Sequence, residues 1–308
     1  MTKNIINGLI NALFITIFIY IFIYSNLVKR NVIVGINIWL YSLIPTLFPF
    51  LLITKLLINY NIINTINAIF GKIIEKIFNI SKNSSFVVIL SIFTGFPTGS
   101  IYINELLSKD IISVQEANKL ITFTSFANPI FIISFIGETL LNNKSIGIYI
   151  FIIHLFTGLL LGIIFKSDKS KYSSNELKDD KSFIYVLVNS INDSFSILIN
   201  MLGIIIFFII ILSLFDLFIP NGVFSLIFKG FIEITMGITN IANSNLNIRL
   251  KTSIISALLS FNGLSVHFQI KSIIDNTQIK YKRYLFARIL HSILCFIISY
   301  IFFNNFIN

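Results

Sequence analysis

Glycine and proline interrupt an apolar stretch of this sequence that is long enough to cross a lipid bilayer. The stretch runs from Phe86 to Leu107, and residues 94–100 within it read Thr-Gly-Phe-Pro-Thr-Gly-Ser. A helix broken in hydrocarbon leaves backbone N–H and C=O groups that lipid cannot pair, so such breaks persist only where protein or a wet cavity pairs them. A second interruption, Phe-Asn-Gly-Leu-Ser at 261–265, lies in another apolar stretch. Two such breaks predict a transport site inside a membrane domain.

The two interruptions fall in register when the sequence is aligned with itself. Residues 89–136 align with residues 254–301 without a gap, and this alignment pairs Phe96 with Phe261. Internal similarity of this kind is a mark of transporters built from duplicated units. We therefore predict two structural repeats.

The orientation of the repeats depends on whether the broken segments turn back or cross the membrane. We predict hairpins near 86–107 and near 251–274, because each break lies near the middle of its segment and each segment ends in a charged stretch. Three spans then run from the start of the first repeat, 32–165, to the start of the second repeat, 182–303, which makes the repeats inverted. If both segments crossed fully, the repeats would be parallel. The expected fold class is all-α, a polytopic membrane protein with re-entrant hairpins and broken transmembrane helices.

The composition supports a single membrane domain over residues 1–308. Hydrophobic residues make up 56% of the chain and charged residues only 12%, which is too apolar for a soluble domain. A hydrophilic linker is predicted at 166–181, and surface-lying amphipathic helices are predicted at 62–80 and 223–241. The predicted spans are 8–26, which is the first transmembrane helix, 32–58, 120–141, 145–165, 182–218 and 284–303.

Several classes of function are excluded by what the sequence lacks. A single cysteine, Cys295, and three scattered histidines leave no zinc constellation, and no phosphate-binding loop or dinucleotide fingerprint is present. We expect no metal and no cofactor, and no enzyme, because no nucleophile and base occur at usable spacing. The net charge of +10 is dispersed through loops. This favours anionic lipid headgroups, not nucleic acid, as the partner.

The first break carries the first group of candidate solute-binding residues. Its glycines permit backbone geometry that other residues resist, and Pro97 removes a hydrogen-bond donor. Half-helices that meet here would aim their N-terminal N–H groups at the tip, which suits a carboxylate. The alternative interpretation is a packing kink between close helices. The candidates are Thr94, Gly95, Thr98, Gly99 and Ser100.

A second interruption, Asn128-Pro129, lies inside a predicted span. Asn128 is a candidate because a buried amide needs partners, whereas Pro129 alone is as readily explained by a kink that nearby hydroxyls satisfy. The candidates in the second half of the chain are Asn262, Gly263, Ser265, His267, Gln269, Arg288 and His291.

The ionisable candidates suggest the charge of the solute. Arg288 and His291 are three residues apart and share a face of the last span. Ionisable groups at membrane depth are usually functional, although a single histidine is often structural and Arg288 can extend toward the boundary at Lys282. Arg288, His267 and helix N-termini together favour an anion.

Six motifs resemble the YlbJ family of sporulation integral membrane proteins, also called SpoVV. This family belongs to the nucleoside-recognition or Gate-domain group, which is similar to parts of concentrative nucleoside transporters. The resemblance covers most of the chain and is carried by Pro-Thr-Leu-Phe-Pro-Phe at 45–50, Gly-Phe-Pro-Thr-Gly at 95–99, Asn-Pro-Ile-Phe-Ile-Ile at 128–133, Gly-Phe-Ile-Glu-Ile-Thr-Met-Gly at 230–237, Asn-Gly-Leu-Ser-Val-His at 262–267 and Tyr-Leu-Phe-Ala-Arg-Ile-Leu-His at 284–291.

The family resemblance implies a role in endospore formation. It implies export of dipicolinic acid, a planar aromatic dicarboxylate, from the mother cell across the outer forespore membrane, and hence a multi-pass protein of a bacterial cell membrane. One departure from the family pattern is Ile101, where the family often has a lysine.

We therefore expect a transporter that binds a small organic anion at a midplane site enclosed by the hairpin tips and broken helices. Two alternatives stay open: a nucleoside transporter, and a non-transporting membrane scaffold of spore envelope assembly. The expected partners are the anionic solute and the lipid bilayer. The sequence leaves open whether the chain forms a homo-oligomer and how it is oriented in the membrane.

Overall fold

The described residues of the computed structural model, 2–60, 63–165, 182–220 and 222–306, form helices and short connections without a β-strand. The helices long and apolar enough to cross a membrane are Lys144–Ile164, Phe183–Phe215, Ile248–Ile274 and Tyr281–Asn305, and two bent helix pairs raise these four to as many as six. This confirms the prediction of an all-α, polytopic membrane protein. The predicted linker at 166–181 lies outside the described residues.

The N-terminal helices pack against one long helix from the second half of the chain. Helix α1 is bent by 102° from α2, and α2 continues into α3 through one π-helical turn. The Trp39 side chain donates to the Leu198 carbonyl at 2.8 Å, and Asn31 donates to the Ser213 hydroxyl at 2.7 Å. The elements are α1 (Thr2–Ile23), α2 (Ser25–Ile38), π1 (Trp39–Leu43) and α3 (Ile44–Asn59).

The next elements form a hairpin, a broken helix pair and a long helix. Helices α5 and α6 pack against each other around the tip at 95–97, which places a hairpin within the predicted segment 86–107. Helix α7 and π2 are separated by the non-helical residues 124–128. The elements are α4 (Ile63–Phe78), a 3-10 turn (Lys82–Ser84), α5 (Ser85–Thr94), α6 (Thr98–Ser108), α7 (Val114–Phe123), π2 (Phe131–Leu140) and α8 (Lys144–Ile164).

The prediction of a second hairpin near 251–274 is wrong. Helices α12 and α13 together form one candidate span, which is interrupted only at Asn262. Asn262 and Gly263 both have positive φ, and this left-handed pair shifts the helix without reversing it. The remaining elements are α9 (Phe183–Phe215), α10 (Val223–Ile232), α11 (Ile234–Ala242), α12 (Ile248–Phe261), α13 (Gly263–Ile274) and α14 (Tyr281–Phe306).

The second hairpin is instead formed by α10 and α11, where the sequence suggested a surface-lying amphipathic helix. Glu233 has an extended backbone between the two helices and reverses the chain. Gly230 and Gly237 let the helices cross closely, because a Cβ on Gly237 would lie 2.0 Å from the Gly230 Cα. The charges that suggested a solvated face mislead here, since Glu233 is only 2% exposed.

The order of hairpin, broken helix pair and long helix therefore occurs twice. The first copy is α5–α6, α7–π2 and α8, and the second is α10–α11, α12–α13 and α14. The equivalent breaks are Asn128 and Asn262, so the self-alignment that paired the first hairpin tip with Asn262 has the wrong register. Three long elements, α7–π2, α8 and α9, separate the hairpins within the described residues. This odd number agrees with inverted halves, which stays a prediction.

The glycine crossing of the second hairpin can be tested by adding a single methyl group. We expect Gly237→Ala to lower the thermal unfolding midpoint in detergent, because overpacking a tight contact costs about 1–3 kcal/mol. Gly203→Ala is the matched control, since nothing lies within 4 Å of a Cβ at this position in α9. Alanine favours a helix over glycine, so the control should keep or raise the midpoint. Equal midpoints for the two variants would contradict the close crossing.

Candidate functional site

A cavity lies where the two hairpin tips and the two helix breaks meet. We call it the central cavity. Both halves of the chain contribute to one side of it, and helices α3 and α9 close the other side. It is lined by Leu43, Leu47, Phe96, Asn128, Phe131, Met201, Ile205, Glu233, Ile234, Thr235, Ser265, Val266 and Gln269.

Four half-helices begin at this cavity. Phe96 lies just before α6, Phe131 opens π2, Thr235 lies in the first turn of α11, and Ser265 lies in the first turn of α13. A helix N-terminus carries unpaired N–H groups and the positive end of the helix dipole. Asn128 and the Glu233 carboxylate already accept N–H groups at the starts of π2 and α11. What the four helix starts offer a ligand is therefore mainly the positive end of their dipoles, which suits an anionic or strongly polar ligand.

Asn128 joins the first hairpin tip to the start of π2. Its side-chain amide donates to the Phe93 carbonyl at 2.8 Å, and its side-chain oxygen accepts from the Ile130 N–H at 2.8 Å. Gly95 lies against it with φ of 77°, and a Cβ there would be 2.7 Å from the Asn128 nitrogen. Only glycine fits this contact, so the geometry explains one glycine of the first break. Gly99 is equally confined, since its Cβ would lie 2.4 Å from the Thr124 carbonyl oxygen.

The hydroxyl candidates of the first break are used within the hairpin. Thr94 donates to the Leu90 carbonyl at 2.9 Å, Ser100 donates to the Pro97 carbonyl at 2.6 Å, and Thr98 donates to the Gly95 carbonyl. None of the three lines the central cavity. They stabilise the shape of the tip and do not face the solute space.

The second break brings two polar residues into the cavity. Ser265 and Gln269 lie one turn apart on α13 and are 1% and 4% exposed. The Gln269 side-chain oxygen has no hydrogen-bond partner among the described residues, and the Ser265 hydroxyl lies near the Glu233 carboxylate without a well-formed hydrogen bond to it. Buried polar atoms are nearly always paired. These two atoms are therefore available to a ligand or to water.

Asn262 and Gly263 stabilise the second break through contacts on the side away from the cavity. Asn262 donates to the Ser125 hydroxyl at 2.7 Å and to the Tyr284 hydroxyl at 2.9 Å, and does not line the cavity. Gly263 packs against the start of α11, where its Cβ would lie 3.1 Å from the Ile234 nitrogen.

Glu233 is the charged residue of the cavity, and the sequence analysis missed it as a site residue. One of its carboxylate oxygens accepts from the Met236 N–H at 2.7 Å and caps α11. No lysine or arginine is among the lining residues. The sequence signal was an acidic residue midway between Gly230 and Gly237 in an apolar run. The remaining wall is apolar, and no sequence motif distinguishes its residues from other apolar residues of the chain. They are Leu43, Leu47, Met201 and Ile205.

Arg288 does not reach the cavity, contrary to the predicted role in binding an anion. Its guanidinium is fully buried and donates to the Thr122 carbonyl at 2.6 Å and the Ser125 carbonyl at 3.0 Å. These carbonyls lie at the end of α7, where the break removes their helical partners. A cation at a helix C-terminus is favourable. Arg288 of the second half therefore caps the broken helix of the first half.

The histidines are not scattered, as the sequence suggested, because His154 and His291 meet beside Cys295. The His154 Nε2 accepts from the Ala127 N–H at 3.0 Å, which leaves Nδ1 to donate to the Ser260 hydroxyl at 2.8 Å. The His291 Nδ1 lies 3.0 Å from Arg288, and its Nε2 donates to the His154 carbonyl at 3.0 Å. The ring tautomers follow from these partners. All four ring nitrogens already have hydrogen-bond partners. A metal ion could bind them only if these hydrogen bonds were broken.

His267 supports the second break and does not line the cavity. Its Nδ1 lies 2.8 Å from the Tyr281 hydroxyl, and its Nε2 donates to the Phe261 carbonyl at 2.8 Å. Of the predicted solute-binding residues, the structure thus brings Asn128, Ser265 and Gln269 to the cavity lining. The other predicted residues lie outside the lining and stabilise the hairpin tip and the helix breaks.

Removal of Arg288 should destabilise the protein and not merely slow transport. We expect Arg288→Leu to lower the thermal midpoint and the amount of monodisperse protein, since an orphaned buried polar group costs about 1–3 kcal/mol. Arg283→Leu changes an exposed arginine in the first turn of the same helix and should leave the midpoint nearly unchanged. A stable Arg288→Leu variant with reduced uptake would instead return Arg288 to a role in solute binding.

The chain is 24% identical, over 299 aligned residues, to the sporulation integral membrane protein YlbJ of Bacillus subtilis (strain 168). The alignment covers 84% of this chain and 73% of that protein. No protein-family model matches the chain, and no solved structure matches it.

Proposed function

The chain belongs to the YlbJ family of sporulation integral membrane proteins, and we propose that it carries a small solute across a membrane of the sporulating cell. One observation carries this proposal: the central cavity is lined by half-helix N-termini from both halves of the chain. Broken helices that surround a cavity at membrane depth are the usual architecture of secondary transporters. A scaffold protein would have no need of such a cavity.

The packing suggests which parts would move. Helices α2 and α3 pack on α9, whereas the hairpins pack on the broken helix pairs. Alternating access would move the hairpins and broken pairs, as one body, against α3 and α9. The cavity wall formed by Leu47, Met201 and Ile205 presents apolar side chains to the moving body.

A small organic anion is the solute class that the cavity favours, and the family resemblance suggests dipicolinate exported toward the forespore. Four helix N-termini favour carboxylates, and the Ser265 hydroxyl can donate to one of them. Phe96 and Phe131 supply aromatic surface for a planar ring.

A nucleoside is the second candidate, and Glu233 is the observation that favours it. A buried carboxylate accepts hydrogen bonds from hydroxyl groups, and the lining has no basic side chain to offset its charge. Asn128 and Gln269 add amides suited to a neutral polar solute. The two candidates make opposite predictions about the charge of Glu233.

Uptake into proteoliposomes tests the transport proposal. We expect labelled dipicolinate to accumulate, with uridine and adenosine failing to compete. Ser265→Ala should raise KM by about tenfold, because a hydrogen bond to a charged group contributes about 1.5–3 kcal/mol. Ser253→Ala is the matched control, since this buried serine lies on α12 and donates to the Arg249 carbonyl. Competition by nucleosides would select the second candidate, and absence of any uptake by correctly inserted protein would refute transport.

The charge of Glu233 gives a separate prediction about pH. Two negative charges about 4 Å apart repel by about 4 kcal/mol at a protein-like dielectric constant, so an anion should enter when Glu233 carries a proton. Dipicolinate uptake should therefore fall as the pH rises. Glu233→Gln keeps the acceptor for the Met236 N–H but is neutral at every pH, so its uptake should lose this dependence.

The basic groups near the second hairpin do not supply the missing counter-charge. Lys229 pairs with Asp216 at 2.8 Å, and Lys251 donates to the Ala242 carbonyl at 2.7 Å. Two results would contradict the prediction: a Glu233→Gln variant with the native pH profile, or one that loses uptake at all pH values. The second result would fit a nucleoside whose hydroxyls need the carboxylate.

A further inference from the structure

A second cavity of about 320 Å³ lies beside the central cavity, between α6, α9 and α13. We call it the vestibule. Its walls come from Pro97 and Ile101 on the first hairpin, Asn200 on α9, and Ser272 on α13. Met201 and Gln269 line both cavities. These two side chains are therefore the partition between them.

The partition contains an unpaired polar atom. Gln269 is 4% exposed, and its side-chain oxygen has no hydrogen-bond partner among the described residues. An unpaired buried polar atom costs about 1–3 kcal/mol. A hydrated solute that passes this point would supply the missing partner, whereas a purely structural wall would be more stable with an apolar residue.

The rim of the vestibule is polar and lies at a transition along α9. Asn200 and Ser272 are exposed at the rim. The N-terminal part of α9 presents the exposed polar residues Asn189, Asn192, Asp193 and Ser196, whereas residues 201–212 include no polar side chain. Asn200 thus lies where the water-compatible part of the helix meets the part suited to hydrocarbon.

The opposite part of the central cavity lining differs in character from the vestibule. Leu43 and Leu47 on the N-terminal elements and Ile205 on α9 present apolar side chains there. Ile205 lies one turn beyond Met201, deeper in the apolar part of α9. The polar approach to the cavity among the described residues is therefore on the vestibule side.

We propose that the vestibule is the water-filled route by which a small hydrated polar solute reaches the central cavity, with Met201 and Gln269 as the gate. This inference rests on the proposed transport function, but its test does not require transport. The gate would open by displacement of two side chains, before any movement of the hairpins.

Cysteine labelling with a charged, membrane-impermeant methanethiosulfonate tests the route. In a Cys295→Ser background, we expect Asn200→Cys and Ser272→Cys to react rapidly. Phe156→Cys is the control: the native side chain is 59% exposed in the middle of the candidate span α8, and it lines neither cavity. A lipid-facing thiol should not react. If Phe156→Cys reacts as fast as the two rim cysteines, the vestibule is not a distinct aqueous space and the proposal fails.

The gate is tested by a reporter inside the central cavity. Ser265→Cys should react slowly, because the reagent must pass Met201 and Gln269. Adding Met201→Trp should slow that reaction at least tenfold and leave Ser272→Cys labelling unchanged, whereas Ile199→Trp should alter neither. Undiminished Ser265→Cys labelling in the Met201→Trp variant would overturn the route.

The two proposals fail separately. A protein that transports no solute but shows this labelling pattern loses the carrier function and keeps a gated aqueous route. A protein that transports dipicolinate while Met201→Trp affects neither labelling nor uptake keeps the carrier function and loses the route.

Discussion

The pairing of backbone hydrogen-bonding groups inside a bilayer is the constraint on which this structure depends. Four interruptions of helical structure, at 95–97, 124–128, Glu233 and Asn262, free N–H and C=O groups that lipid cannot pair. Each is matched by a buried side chain. Asn128 serves the end of α5 and the start of π2, Arg288 the end of α7, Glu233 the start of α11, and His267 the end of α12.

This constraint divides the polar residues into two groups with different roles. His154 and His267, whose ring nitrogens are all engaged within the protein, and Arg288, whose two terminal nitrogens donate to backbone carbonyls, stabilise the breaks. Among the residues with an unpaired buried atom, Ser265 and Gln269 line the cavity, whereas Asn262 and Arg288 do not. The division explains how an apolar protein keeps a polar space in its centre. Most of the buried polar side chains near the cavity stabilise the helix breaks, and few of them are placed to bind solute directly.

The sequence predicted the parts of the fold that depend on local chemistry. Glycine and proline at 94–100 marked the first hairpin, and Asn128 marked the first broken helix pair. Asn262 marked a break as well, but the sequence predicted a hairpin where the second broken helix pair lies. The register of the repeats was wrong because an isoleucine- and phenylalanine-rich chain aligns with itself in more than one way. The α10–α11 hairpin was missed because charges four residues apart, at Lys229 and Glu233, have the same spacing on a solvated helix. Arg288 was identified as important, but the direction of its side chain depends on tertiary packing.

The cap that Arg288 provides has a consequence for biosynthesis. Ser125 and Arg288 are 163 residues apart in the chain. At about 5–20 residues per second, translation takes roughly 10–30 s to deliver the arginine after the end of α7 has been made. During this interval the first broken helix has carbonyls that neither lipid nor its own half of the chain satisfies. The nascent first half therefore needs a hydrated shelter, such as the interior of the insertion machinery, until its partner half arrives.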